Sequence, residues 1–305
     1  PVAALEARIL ELQAAAQESD IDADVEIAKL RGKADKQLAD TYANLTAWQK
    51  TQVARHPERP HFKHYIASMF EDFMPLAGDR AFGDDQAIIG GLARLHGRRV
   101  MVIGHEKGDD TQSRIRHNFG MGKPEGYRKA IRLMELADRF AIPVVSLVDT
   151  SGAFPGIQAE ERGQAEAIAR STEACLALGV PMIAYIVGEG GSGGAVALAA
   201  ADRILMFQYA VYSVISPEGC ASILWRTGDK AADAAQAMKM TADDLKSLRI
   251  IDRIVKEPVG GAHRDHALAA ATLASAIHEE LEALSAFSAK ELVQQRRTKF
   301  LSMGA

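Results

Sequence analysis

Cysteine is nearly absent from the 305-residue chain: only Cys175 and Cys220 are present. Two thiols cannot build a zinc ribbon, and they read as reduced, unpaired side chains. Positive charge is not in excess either. The net charge of −4 advertises no affinity for nucleic acid or an acidic membrane surface. No apolar run approaches the ~20 residues that a transmembrane helix needs, no secretory leader stands out, and no repeat recurs at solenoid periods. A cytoplasmic protein is therefore expected. What remains is ordinary for a globular chain, with 48% hydrophobic and 25% charged residues, and the length suits one large domain with helical extensions.

Three textures follow one another. Residues 1–54 carry Leu5, Ile9 and Leu12, then Leu30, Ala34, Leu38, Leu45 and Trp48, at helical spacing on either side of an acidic break at residues 19–24. This predicts a helical hairpin. Residues 55–60, with two prolines and no apolar side chain, read as a hinge. In the core, residues 87–95 and 100–103 are β-rich runs joined at His96 and Gly97, which predicts a hairpin. Residues 125–140 form an amphipathic pattern, and strands are expected at 143–148, 182–187, 204–207 and 212–215. Helices are expected at 159–178 and 195–201. This alternation implies a largely parallel sheet covered by helices. From residue 262 the chain reads as helical again, ending in basic Arg296, Arg297 and Lys299. The domain boundaries expected are thus 1–54, 55–261 and 262–305.

The segment from Gly188 to Ala195 (GEGGSGGA) lies between an apolar strand and an apolar helix. Its five glycines allow close backbone approach to a ligand, and the following helix adds the positive end of its dipole. A phosphate-binding loop would end in Gly-Lys-Ser/Thr, whereas Gly194 is followed by Ala195 and Val196. The segment therefore reads as an oxyanion hole. A second strand–turn–helix unit, from Asp149 to Gly156 (DTSGAFPG), would lie at the same sheet edge. Dedicated carboxylate pairs, metal clusters and an obvious general base are missing. Backbone donors with a base supplied by the substrate or cofactor suit enolate chemistry.

Rival readings exist. Ser192 satisfies G-x-S-x-G, with Asp252 and His263 or His266 following in the order of an α/β-hydrolase triad. Cys220 reads as a small buried hydrophobe rather than a nucleophile. His56, His61 and His64 lack the companions of a metal site. Lys107, Arg114, Arg116, His117 and Lys123 bracket a glycine-containing loop, as a solvated face or a contact for a carboxylate.

Longer motifs narrow the field. RHNFGM from Arg116, PEGYRKA from Pro124, AEERGQ from Ala159, GEGGSGGA from Gly188, YSVISPEGCASILW from Tyr212 and PVGGAHR from Pro258 together resemble the carboxyltransferase α-subunit family of bacterial multisubunit acetyl-CoA carboxylases. The resemblance runs almost end to end. It implies an α/β crotonase (ClpP-like) fold of repeated ββα units, with an N-terminal helical extension and C-terminal helices. It implies a β-subunit partner that bears the zinc ribbon and binds acetyl-CoA, leaving no metal for this chain. The further partners implied are biotin carboxyl carrier protein presenting carboxybiotin, biotin carboxylase, and an α2β2 assembly making malonyl-CoA for fatty acid synthesis. Backbone N–H groups of Gly190 and Gly191 would receive the charge on carboxybiotin, and Gly152, Ala153, Phe154, Gly156, Ser192 and Gly193 would bind biotin. The chain departs from the family pattern at Ser151, usually proline, and at Phe154, usually tyrosine. Any side-chain role at position 154 is thereby weakened, while a backbone role survives.

Overall fold

The computed structural model describes residues 2–19 and 23–304. Strands β1 (Glu71–Pro75), β2 (Ile88–Leu95) and β3 (Arg98–His105) form an antiparallel meander at one side of an eight-stranded sheet. His96 and Gly97 both take positive φ, 47° and 77°, as a two-residue type I′ turn requires, so Leu95 lies opposite Arg98. Beyond β3 the pairing is parallel: β4 (Val144–Thr150), β5 (Met182–Gly191), β6 (Arg203–Phe207) and β8 (Arg253–Val255) follow in that order. β7 (Val211–Ser213) stands off this path and pairs with the far end of β5. Every residue of β4 and β5 is buried, the signature of parallel strands covered on both faces.

The N-terminal α1 (Val2–Ser19) and α2 (Asp24–Ala43) pack on each other and bury Ile9, Ile27, Ala34 and Leu38. Half of the acidic break expected between them, residues 20–22, lies outside the described residues. Helix α3 (Ala47–Ala54) opens on a capping box between Thr46 and Gln49 and lies against β5 and β7. The predicted hinge, residues 55–60, leads to α4 (Phe62–Met69), and α5 (Thr111–Arg116) follows β3. Helix α6 (Pro124–Arg139) covers β2 and β3 with Tyr127, Ala130, Leu133, Met134 and Ala137, spaced three and four apart.

Two expectations are corrected here. The single helix predicted over 159–178 is divided into α7 (Ile157–Glu161) and α8 (Gln164–Ala177), because Gly163 takes a left-handed φ of 79°. The helix predicted over 195–201 starts at Ser192, as α9 (Ser192–Ala199), because β5 continues through Gly191. A glycine run reads as loop by propensity, but pairing with β7 on one side and Thr150 on the other holds it extended. Helices α10 (Pro217–Trp225), α11 (Ala231–Ala237) and α12 (Ala242–Ser247) fill the interval before β8.

Helices α13 (His266–Leu284) and α14 (Ala289–Leu301) supply the helical C-terminal segment. Arg296 of α14 is 1% exposed, yet all its donors are used. Nε and Nη2 reach the two Asp202 oxygens at 2.9 and 2.6 Å, and Nη1 and Nη2 donate to the carbonyls of Cys175, Leu178 and Val180. A guanidinium fork matches this set of acceptors, which an ammonium could not.

Candidate active site at the ends of β4 and β5

The carboxyl ends of β4 and β5 carry the two glycine-bearing turns foreseen in the sequence, and these turns touch backbone to backbone. A Cβ at Gly191 would stand 2.2 Å from the Ser151 carbonyl oxygen, and one at Gly194 would stand 2.7 Å from the Gly152 carbonyl carbon. Only glycine permits either approach. Thr150 fastens the first turn, its hydroxyl accepting from Gly152 N–H at 3.1 Å and donating to Gly152 O at 2.7 Å. Phe154 N–H donates to Gly122 O, and the buried Gln164 amide donates to both Gly122 O and Phe154 O.

Between the turns opens a cavity of about 560 Å³, lined in part by Gly152, Ala153, Phe154, Glu160, Gln164, Ser192 and Ile215. Four of the eight expected site residues, Gly152, Ala153, Phe154 and Ser192, thus meet at one wall. The other four stand behind it. Gly190 and Gly191 are buried within β5, opposite Tyr212 and Ser213 of β7. Gly156 packs under the Phe154 ring, and Gly193 faces Ile168 of α8. Lys123 Nζ lies 5.1 Å from the Phe154 ring centroid. Gly191 is the N-cap of α9, so the first-turn N–H groups beyond it have no intrahelical acceptor.

The hydrolase alternative does not assemble. The Asp252 carboxylate accepts from Ile204 N–H and from Lys299 rather than from a histidine. His263 stacks on His56 with ring centroids 3.9 Å apart, and His266 Nε2 lies 2.7 Å from Glu58 O. Ser192 itself sits at φ 53°, at the junction of strand and helix. Cys175 is buried, and burial pushes its thiol up to about 12, so it is inert as a nucleophile.

Sequence reasoning missed a second, charged hollow of about 230 Å³, lined by Arg55, His56, His61, Lys107, Asp149 and Glu189 among others, with Ser151 shared between the two cavities. Lys107 Nζ lies 2.7 Å from Asp149 Oδ1, and His61 Nδ1 lies 3.5 Å from Oδ2. Burial opposes ionisation of Asp149, but Lys107 and His61 outweigh it and hold the carboxyl well below the usual carboxylate range. Arg55 joins Glu189 of β5 to Glu218 of α10. Near the same strand ends, burial lowers His105 to about 4, leaving it neutral at neutral pH. The basic set of the sequence analysis is divided. Lys107 serves Asp149, Arg114 Nε donates to Gly108 O, His117 lies between Gln86 O and Lys63, and Lys123 attends Phe154. The available signal was an aspartate closing an apolar strand, but its partners lie far away in sequence.

Comparison with known proteins gives a consistent result. The profile of a family described as acetyl co-enzyme A carboxylase carboxyltransferase-like matches residues 1–304. The acetyl-coenzyme A carboxylase carboxyl transferase subunit alpha of Rhizorhabdus wittichii is 73% identical over 304 residues, spanning 100% of this chain and 97% of that protein. The protein of the same name from Sphingopyxis alaskensis is 70% identical over 303 residues, spanning 99% and 96%. Among solved structures, a transcarboxylase 12S with methylmalonyl-coenzyme A bound superposes with a TM-score of 0.61 at 21% identity, over 75% of this chain and 42% of that one. The β subunit of geranyl-CoA carboxylase from P. aeruginosa gives 0.57 at 18%, over 80% and 46%. The chain thus spans less than half of either polypeptide, and at these identities the likeness concerns the fold, which is the crotonase fold.

Proposed function

The chain belongs to the acetyl co-enzyme A carboxylase carboxyltransferase-like family, and from that premise we propose that it is the α subunit that carries the carboxybiotin half of the carboxyl-transfer site. It works with a β subunit that binds acetyl-CoA, in an α2β2 assembly served by biotin carboxyl carrier protein and biotin carboxylase. The product is malonyl-CoA for fatty acid biosynthesis, and the setting is the cytoplasm. Among the described residues no helix is long and apolar enough to cross a membrane. Residues 1–54, 55–261 and 262–305 serve as helical extension, carboxyltransferase core and C-terminal helical segment.

The observation that carries this reading is the side-chain-free contact of Gly191 and Gly194 with residues 151–153 at the edge of the 560 Å³ cavity. That close packing sets the N-terminus of α9 directly against the turn that walls the cavity, where a flat polar bicycle would meet backbone donors. When bound, carboxybiotin supplies the carboxyl group, and its ureido oxygen takes up negative charge as the group leaves. The chain's part is electrostatic. The N–H groups of Gly190 and Gly191, which lie behind the cavity wall in β5, and the positive end of α9 are the donors assigned to the developing charge. Gly152, Ala153, Phe154 and Ser192 shape the wall and limit water, and Gly156 and Gly193 support it from behind. The residues of this wall bind, orient and exclude water, and none of their side chains is assigned as a general base.

The test is malonyl-CoA-dependent carboxylation of free biocytin, the reaction in reverse, by this chain alone and mixed with its cognate β subunit. Activity in the mixture only is the expected result. A verified complex with no activity overturns the reading.

A further inference from the structure

Strand β5 changes partners at one point, and both of its hydrogen-bond ladders lapse there. Towards β4, Val148 pairs with Ile186 and Thr150 next pairs with Gly190, so two steps on β4 span four on β5. On the other edge, Ile186 is the last partner of β6 and Glu189 the first partner of β7. Val187 and Gly188 therefore have no strand partner on either side, although both are buried. Buried backbone groups need partners from somewhere.

Two ion pairs supply side-chain partners here, one to Val187 O and one to the neighbouring Glu189 N–H. Arg59 donates to Val187 O through Nη2 at 2.7 Å and Nε at 3.3 Å, while Glu257 holds the same guanidinium at 2.7 and 3.0 Å. Glu257 is anchored in turn by the N–H groups of Tyr209 and Ala262. On the opposite flank, Asp149 Oδ1 accepts the Glu189 N–H at 3.0 Å and is held by Lys107 at 2.7 Å. Gly188 makes room for this carboxylate, since a Cβ there would stand 2.6 Å from Asp149 Oδ1. Arg55 grips the Glu189 side chain as well. Bulges of this kind re-aim a strand beside a site, and here the two residues immediately beyond the bulge are Gly190 and Gly191.

We propose that Asp149 and Arg59 are positioning residues for carboxyl transfer: they bond Glu189 N–H and Val187 O where the pairing with β4 lapses and so fix the direction in which β5 presents Gly190 and Gly191. The proposal rests on the reading of those two glycines given above. Neither residue touches the reacting group. A simple contribution to stability would lower the amount of active enzyme, whereas a positioning role lowers turnover of the enzyme that is assembled.

The experiment compares wild type, Arg59→Lys, Asp149→Asn and Asp149→Ala, each in complex with the cognate β subunit. It reads kcat and KM for biocytin and malonyl-CoA, together with amide hydrogen exchange across 182–198. Arg59→Lys keeps the charge but loses the fork, and an ångström-scale misplacement of donors predicts a kcat lower by roughly 100-fold. Malonyl-CoA KM should stay within about twofold, because uniform substrate binding is untouched. Exchange should quicken at 187–194 and not in α6 or α13. Asp149→Asn retains an acceptor oxygen and should be impaired less than Asp149→Ala. Wild-type kcat in all three variants overturns the proposal. So does a loss of kcat with unchanged exchange at 187–194, or exchange that quickens throughout the sheet. Should the wild-type complex itself transfer no carboxyl group, the functional reading fails, while the exchange data still decide whether the clamp holds the bulge.

Discussion

Replacing Gly191 by alanine is the sharpest perturbation of the site. The backbone at this position has φ −105°, which alanine adopts without strain, so the whole effect comes from one methyl group. That methyl would sit 2.2 Å from Ser151 O, 2.4 Å from its carbonyl carbon and 2.9 Å from its Cα, where ordinary contact begins at 3.4 Å. None of these atoms belongs to a flexible side chain. Strand and turn must part by about 1 Å, a displacement of the size that costs ~100-fold when it misplaces catalytic groups, and loss of one oxyanion donor costs a similar 10²–10³-fold in kcat. The expected Gly191→Ala complex therefore assembles, loses about 1–3 kcal/mol of stability to overpacking, and turns over biocytin roughly 100-fold more slowly. Gly193→Ala is the internal comparison. Its methyl would meet Ile168 at 3.4 Å, an ordinary contact, so the loss should not exceed about threefold. Steady-state biocytin carboxylation by purified complexes measures both. Equal kcat for Gly191→Ala and wild type, or equal damage from the two substitutions, would refute the reasoning.

Three further outcomes are expected. Ser192→Ala should reduce carboxyl transfer by about tenfold at most, and wild type should resist fluorophosphonate labelling. A serine-hydrolase nucleophile would instead be labelled and would lose ~10⁶-fold on substitution. Arg296→Leu strands Asp202 and three carbonyls in the interior, and urea unfolding should show a loss of about 3–5 kcal/mol. His105 has a folded value of about 4 against an ordinary 6.5, so the unfolded chain takes up its proton first as pH falls. The contribution of this group is complete above pH 6.5 and is lost between 6.5 and 4, about 3 kcal/mol in all. Urea titrations at pH 8 and pH 5 should show a smaller drop for His105→Gln than for wild type. Asp85, raised to about 6 by burial, acts in the opposite sense below that pH, so Asp85→Asn should steepen the acid loss.

The sequence spoke most clearly where local pattern and tertiary context agree. The apolar run at 182–187 could only be a buried strand beside glycines, and the turn at His96 and Gly97 has the conformation its neighbours demand. The amphipathic α6 was equally legible, since its buried residues recur every three or four positions. Where long-range pairing decides, the pattern was silent. Gly190 and Gly191 carry no β propensity, and their extended state depends on Thr150 and on Tyr212 and Ser213. Short α10, α11 and α12 have mixed faces and offered no period. The charged residues behind the site were harder still. Arg55 and Arg59 read as polar members of a proline-bearing hinge, and nothing local announces that both reach β5, more than a hundred positions later. The two cavities share Ser151, which no local pattern marks as the divider between them.

The arginine near the end of α14 has a consequence for the order in which the molecule is made. Every group that Arg296 engages, from the Cys175 carbonyl to the Asp202 carboxylate, precedes it by about a hundred residues. Chains emerge from the ribosome at ~5–20 residues per second. For several seconds, then, the turn after α8 and the loop before β6 exist without the cation that joins them. In that interval the Asp202 carboxylate and three carbonyls at the foot of β5 are left to water. The arrival of one guanidinium then lets all four groups leave water together.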